Sequence, residues 1–115
     1  MNPAISGSVL VVEDSTVRIE WFRKHLPNAR YAKTPIEAMQ ALSWTPDVVF
    51  LDFDLGRANS IGIAAFLADN PPALCIIHSA NEKGVAVLKG MLPGAWIIPF
   101  ATFSIERNEI IRRPL

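Results

Sequence analysis

The sequence has one cysteine and no net charge, and it lacks both a long apolar run and a basic leader at its N-terminus. A single cysteine, Cys75, cannot form an internal disulfide, which fits a reducing compartment. No run approaches the roughly 18 apolar residues that a membrane helix needs, and no signal peptide is visible. We therefore expect a cytoplasmic protein that has no membrane partner.

The charge balance excludes a second class of partner. Lys and Arg number 11, as do Asp and Glu, and no basic run interrupts the balance. No global field therefore attracts a phosphate backbone, and we expect no direct nucleic-acid binding. Half of the residues are hydrophobic and 19% are charged, which excludes a disordered chain. The 115 residues are enough for one domain, which we place over residues 1–115.

Short apolar runs predict the strands. They are rich in Val, Ile and Leu and do not alternate with polar residues, as is typical of strands covered on both faces. The predicted strands are 8–12, 46–51, 73–78 and 94–100, with a weaker one at 29–33.

Helical patterns separate these runs. Thr34, Pro35 and Glu37 form a predicted N-cap, first helical position and capping box. Ile36, Ala38, Met39 and Leu42 are the residues that we expect to form the apolar face of this helix. The predicted helices are 15–26, 34–44, 60–69 and 82–92, and the tail over 103–114 is expected to form a short last helix through Ile105, Ile110 and Ile111.

Alternating strands and helices of these lengths predict an α/β fold with right-handed crossovers. For five strands the common doubly wound arrangement is the flavodoxin-like order 2-1-3-4-5, which places the first and third strands side by side. We therefore expect a five-stranded parallel sheet with helices on both faces.

Acidic residues follow the first and third predicted strands. Glu13 and Asp14 end the first, and Asp52 and Asp54 end the third. Ligands bind doubly wound sheets at the carboxyl ends of the strands, and four carboxylates meeting there repel one another unless a cation joins them. Oxygen ligands suit Mg²⁺. The alternative is that Asp14 caps the first helix and Asp54 caps a loop.

Four short stretches of the sequence resemble motifs of a known family. "VLVVEDS", "VVFLDFDLG", "IIHSA" and "IIPF" are similar, in this order, to the strand ends of response-regulator receiver domains, the CheY-like superfamily. The resemblance implies that Glu13, Asp14 and Asp52 hold Mg²⁺ or Mn²⁺ and that Asp52 accepts a phosphoryl group. It also implies that Ser79 binds a phosphoryl oxygen.

The sequence departs from the receiver pattern at three places. Ile98 stands where the family has a lysine before Pro99, Asp54 and Leu55 replace a Met-Pro pair, and His78 replaces a plain hydrophobic residue. With Asn81, which we expect to contact phosphate together with Ser79, the combination resembles the cyclic-phosphate-processing receiver domains. That resemblance implies action on cyclic or nucleotide-like phosphates.

The added polar residues suggest hydrolysis. An Asp-x-Asp after a buried strand also resembles the haloacid-dehalogenase phosphatases, in which the first acid is the nucleophile and the second a general acid/base; Asp52 and Asp54 would take these roles. His78 is a candidate proton donor, although strand alternation points it away from Ser79 and allows a buried, hydrogen-bonded histidine instead. Lys83 either replaces the missing lysine charge or faces solvent.

Three functional hypotheses follow. The first is a metal-dependent phosphoesterase acting on a phosphate-containing small molecule. The second is a stand-alone receiver phosphorylated on Asp52 by a phosphodonor protein. The third is a non-catalytic, receiver-like binding module. Trp21, on the far side of the first helix, together with the apolar tail, suggests a homodimer patch.

Overall fold

The computed structural model describes residues 2–113. No helix in that span is long and apolar enough to cross a membrane. The elements in chain order are β1 (Val9–Val12), α1 (Thr16–His25), β2 (Arg30–Ala32), α2 (Pro35–Leu42), β3 (Val48–Leu51), β4 (Asp54–Leu55), β5 (Ala58–Asn59), α3 (Ile61–Asp69), β6 (Leu74–Ile77), α4 (Glu82–Met91), β7 (Trp96–Ile97), a 3₁₀ turn (Phe100–Thr102), β8 (Phe103–Glu106) and β9 (Glu109–Arg112).

Five of these strands form a parallel sheet in the order β2-β1-β3-β6-β7. This confirms the predicted order 2-1-3-4-5, because these five strands are the ones predicted from the apolar runs. The register aligns Val12 with Leu51 and Leu51 with Ile77 in the last paired row of the three central strands. The residues one position further along therefore emerge side by side at the carboxyl edge.

The sheet is covered on both faces, which is why its strands are uniformly apolar. Leu10, Val49 and Ile77 belong to the core on one face, where α2, α3 and α4 pack. Val11 and Phe50 belong to the core on the other face, where α1 packs beside strands β8 and β9.

The cap predicted for α2 is present, but its predicted apolar face is only half correct. The Thr34 side chain accepts a hydrogen bond from the backbone N–H of Glu37 at 3.1 Å. Ala38 and Leu42 are buried. Ile36 and Met39 are instead 72% and 40% exposed, because α2 is only eight residues long and turns a narrow stripe to the sheet.

The expected short last helix over 103–114 is wrong within the described residues. Strands β8 and β9 pair antiparallel, with Ile105 opposite Ile110. Arg107 and Asn108 form the two-residue turn with φ of +52° and +61°, as a hairpin turn of type I′ requires. The hairpin buries Ile105 and Ile110 against the α1 face of the sheet, while Glu106 stays exposed.

A second, smaller hairpin lies between β3 and α3 and was not predicted. Strands β4 and β5 pair Asp54 with Asn59, and the turn uses Gly56 at φ +66°, a conformation that favours glycine. Ser60, fully buried, closes this loop by donating its hydroxyl to the carbonyl of Asp52. The loop therefore returns the chain directly to the end of β3.

Ile110→Ala tests whether the hairpin is part of the core. Ile110 is fully buried, so the truncation should reduce the free energy of unfolding by about 2–4 kcal/mol in a urea titration. Ile111→Ala is the matched control, since the adjacent Ile111 is half-buried and should lose clearly less. Equal, small losses at both positions would contradict the hairpin packing.

Candidate functional site

The site begins with a buried hydrogen bond between side chains at the ends of β1 and β6. The His78 Nε2 atom lies 2.9 Å from Glu13 Oε1, and the two side chains are 0% and 1% exposed. Because a carboxylate only accepts hydrogen bonds, Nε2 carries the proton and donates it. The Nδ1 atom has no hydrogen-bond partner among residues 2–113, and the imidazole packs against the rings of Phe22 and Phe50.

The second oxygen of Glu13 is also occupied. Glu13 Oε2 accepts the backbone N–H groups of Asp14 at 3.0 Å and Ser15 at 3.1 Å. Ser15 is the N-cap of α1, and its own side chain accepts the N–H of Arg18. Glu13 thus fixes the start of the helix to the end of the strand, which is a positioning role.

Asp52 lies next to this pair at the end of β3. It is 5% exposed, and its Oδ1 accepts the backbone N–H of Phe53 at 2.9 Å. One ligand atom each from Glu13, Asp52 and His78 can be chosen so that all three lie within 4.8 Å of one another. These are the three residues that directly follow the aligned row Val12, Leu51 and Ile77.

The partners of the two buried acids separate their pKa values. Burial and then the charge of Glu13 raise the pKa of Asp52 from 3.8 to about 6, although His78 and the Ser79 hydroxyl oppose the shift. Burial also works to raise the pKa of Glu13, but His78, the backbone N–H of Ser15 and the charge of Arg18 together outweigh it and hold that pKa at about 2. Glu13 is therefore the permanent anion, and Asp52 is the carboxyl that changes its charge near neutrality.

A cation outside the strand-end motifs, and not singled out from the sequence, completes the buried cluster. Arg18, in the first turn of α1, places Nη1 3.5 Å from Glu13 Oε1 and 3.9 Å from Asp52 Oδ2. Its guanidinium carbon lies 5.1 Å from the centre of the Phe100 ring. The signal was present in the sequence, because a residue four positions after Asp14, in the first turn of a helix, projects toward the strand ends.

The more exposed residues form the mouth of the site. Asp54, in β4, is exposed, and its Oδ2 accepts a hydrogen bond from Asn81 Nδ2 at 3.0 Å. The Asn81 Oδ1 in turn accepts the N–H of Gly84 as the N-cap of α4. Asp14 is half-exposed and approaches the loop from the other side: its Oδ2 lies 3.8 Å from the position that a Cβ on Gly56 would take.

Ser79 links the buried cluster to the mouth. It is buried, its hydroxyl oxygen accepts the backbone N–H of Asn81 at 3.2 Å, and its hydroxyl interacts with Asp52. Two other residues make no side-chain polar contact with the site among residues 2–113. Ile98, where a lysine was expected from the resemblance, is 1% exposed and belongs to the α1-face core, and Lys83 is exposed on α4.

Each residue predicted for the site lies at the carboxyl edge of the sheet, although their roles remain predictions. Glu13, His78, Asp52 and Ser79 form the buried cluster, whereas Asp14, Asp54 and Asn81 lie at the mouth. The contacts of His78 correspond to the alternative of a buried, hydrogen-bonded histidine. Carboxylate oxygens are the ligands that hard divalent cations prefer, so the donor set fits such an ion.

Comparison with known proteins supports the fold and leaves the activity open. No family model matches the sequence, and no curated protein matches it significantly. The structure is similar to the phosphorylated cyanobacterial phytochrome response regulator RcpA, with a TM-score of 0.67, 19% identity and 79% of each chain covered.

Two further solved structures are similar to this chain in fold. The Mn²⁺-bound response regulator Rcp1 has a TM-score of 0.63 and 17% identity over 90% of this chain and 84% of that one. The response regulator domain of Thermotoga maritima CheB has a TM-score of 0.59 and 25% identity over 84% and 78% of the two chains. The chain therefore has the CheY-like receiver fold, as the four strand-end motifs indicated.

Asp52→Asn tests the burial of this carboxyl. Between pH 3.8 and about 6 the folded protein binds more protons at Asp52 than the unfolded chain does, so this group makes the wild type less stable as the pH rises through that range. Without divalent cations, the variant should be more stable than the wild type by roughly 1–3 kcal/mol at about pH 7.5, and the gain should shrink by about pH 4.

Urea unfolding at the two pH values measures this gain. Asp69→Asn, which alters an exposed acid at the end of α3, is the control and should follow the wild type at both. A variant whose advantage does not depend on pH would contradict the environment assigned to Asp52.

His78→Leu tests the buried pair. Removing the imidazole leaves the Glu13 carboxylate buried beside one partly exposed arginine, so the free energy of unfolding should fall by about 3–5 kcal/mol. The double variant Glu13→Leu with His78→Leu leaves no lone charge and should recover part of the loss in the same urea titration. A double variant that loses the sum of both single losses would show that the two side chains are not coupled.

Proposed function

We propose that this domain binds a divalent cation and a phosphate-containing small molecule at the mouth of the site and hydrolyses a cyclic or nucleotide-like phosphate. The observation that carries the proposal is the second carboxylate. Asp54 lies two residues after Asp52, is exposed, and is held by Asn81 at 3.0 Å. A phosphorylation switch does not need a carboxylate there, whereas hydrolysis needs a group that moves a proton.

The cation proposed for this site is Mg²⁺ or Mn²⁺. Asp14 and Asp52 would supply free carboxylate oxygens, and Glu13 would add its charge, since both of its oxygens already accept hydrogen bonds. The raised pKa of Asp52 supports this assignment, because a nearby dication offsets the repulsion and burial that raise it. When bound, such an ion neutralises phosphate oxygens.

Different residues of the chain would carry out different steps of the hydrolysis. Asp52 Oδ2 would attack phosphorus and open the ring, and Asp54, protonated, would give its proton to the leaving oxygen. Asp54 as the carboxylate would then take a proton from the water that cleaves the acyl phosphate, which releases Asp52 and leaves a phosphate monoester. Ser79 and Asn81 would bind the phosphate oxygens, and His78 would position Glu13.

The paired substitutions Asp54→Asn and Asp52→Asn test this division. Asp54→Asn should reduce turnover by about 10²–10⁴-fold, the usual contribution of a general acid/base, while the dissociation constant for Mn²⁺ stays close to that of the wild type. Asp52→Asn should lose both turnover and cation binding. A screen of cyclic and linear nucleotides with Mg²⁺ measures turnover, and calorimetric titration with Mn²⁺ measures binding.

Two results would contradict the proposal. Turnover that survives Asp52→Asn would remove the nucleophile assignment. A wild type that binds no divalent cation at millimolar concentration would instead favour the non-catalytic binding module. Asp69→Asn, remote from the mouth, serves as the control for the change of charge.

A stand-alone receiver is the second candidate function. The observation in its favour is the position of Asp52, buried at the end of β3 in a fold shared with response regulators. This alternative expects a stoichiometric adduct on Asp52 when the protein is incubated with a small phosphodonor. Mass spectrometry of the intact protein distinguishes the two, because the receiver should retain the phosphoryl adduct whereas the hydrolase should return to the unmodified mass.

A further inference from the structure

Arg18 is the charged side chain that the strand-end motifs leave without a role. It lies in the first turn of α1 and is 30% exposed, so it lies between the buried cluster and solvent. Both of its ion-pair contacts, to Glu13 at 3.5 Å and to Asp52 at 3.9 Å, are made by Nη1. Among the residues that the structure describes, the N–H groups of Nε and Nη2 make no hydrogen bond.

The guanidinium of Arg18 also lies over an aromatic ring. The carbon at its centre lies 5.1 Å from the middle of the Phe100 ring, and Phe100 follows directly after the Ile98-Pro99 pair. A planar guanidinium stacked on an aromatic ring loses little conformational freedom when it forms further hydrogen bonds. The unused N–H groups are therefore preorganised donors beside Asp52.

The site has a matching need for positive charge. Four carboxylates lie at this edge of the sheet, two in the buried cluster and two at the mouth, and Ile98 fills a position of the apolar core rather than offering a lysine. Lys83, in the first turn of α4, is exposed and makes no ion pair among the described residues. A phosphate cannot approach such an edge unless a cation of the protein, together with the bound metal, offsets the repulsion.

We propose that Arg18 is the phosphate-binding cation of this site, its guanidinium donating to phosphate oxygens while it stays stacked on Phe100. The inference rests on the proposed function and names the residue that replaces the missing lysine charge. The contact of 3.9 Å with Asp52 is longer than a hydrogen bond, so the guanidinium gives up little when it turns to phosphate.

The same placement makes Arg18 a competitor of the metal. A positive charge 3.9 Å from Asp52 weakens the attraction of that carboxylate for a divalent cation. Removing the charge should therefore act in opposite directions on the two ligands. The affinity for phosphate should fall and the affinity for the metal should rise. A general loss of structure would lower both affinities.

Arg18→Gln tests the inference with inorganic phosphate and Mn²⁺ as the probes. Calorimetric titration of phosphate at saturating Mn²⁺ should show affinity lower by about 10- to 100-fold, as expected for a lost charge-assisted hydrogen bond. Titration of Mn²⁺ alone should show affinity higher by about three-fold or more. Arg18→Lys keeps the charge but not the planar fork and should lose less phosphate affinity than Arg18→Gln.

Arg23→Gln is the matched control. It removes the same charge from the same helix, but Arg23 is 56% exposed and pairs with Glu20, so both affinities should stay within about two-fold of the wild type. Thermal unfolding followed by circular dichroism verifies that each variant is folded.

The outcomes separate the two proposals. A wild type that binds neither Mn²⁺ nor phosphate overturns the proposed function and the role of Arg18 together. A wild type that binds both, with Arg18→Gln unchanged for phosphate, overturns the role of Arg18 and leaves the function in place. Loss of both ligands in Arg18→Gln also overturns it, because that result indicates a structural role.

Discussion

The burial of the Glu13 carboxylate is the constraint on which the site depends. An ionised carboxylate in an apolar interior is very unfavourable unless each of its oxygens has partners. Glu13 meets this condition with partners from three elements: the imidazole of His78 at the end of β6, the first N–H groups before α1, and the side chain of Arg18. The contact between Glu13 and His78 therefore fixes the spacing between the ends of β1 and β6. Asp52, at the end of β3, lies between these two strands.

The carboxyl edge was predictable because it follows from periodicity. Four apolar runs and the flavodoxin-like order were sufficient to place Glu13, Asp14, Asp52 and Ser79 together. Alternation was a poorer guide to His78, because β6 ends at Ile77 and both His78 and Ser79 contact the buried acids. What alternation alone did not reveal is which of the two faces carries the acids. The register shows that Glu13 and Asp52 follow the same row as His78, so the histidine faces the acids and the hydroxyl lies beside them.

Features determined by tertiary contacts were less accessible from the sequence. The spacing of Ile105, Ile110 and Ile111 is compatible with a helix, and the turn dipeptide Arg107-Asn108 lacks the glycine that usually marks a tight hairpin. Burial against the α1 face then decides in favour of strands. Similarly, nothing in the pattern before α3 distinguishes Ser60 from an ordinary helix cap, since its bond to the Asp52 carbonyl depends on how the loop folds back.

The contact between Phe53 and Gly84 couples the site to the outer surface of the domain. A Cβ on Gly84 would lie 2.3 Å from the Phe53 ring, so the ring occupies a notch that only glycine leaves open in α4. Phe53 follows Asp52 directly, and its N–H binds the Asp52 carboxylate. The buried carboxyl of Asp52, the Phe53 ring and the backbone of α4 are thus in continuous contact, at a position where any residue larger than glycine would clash.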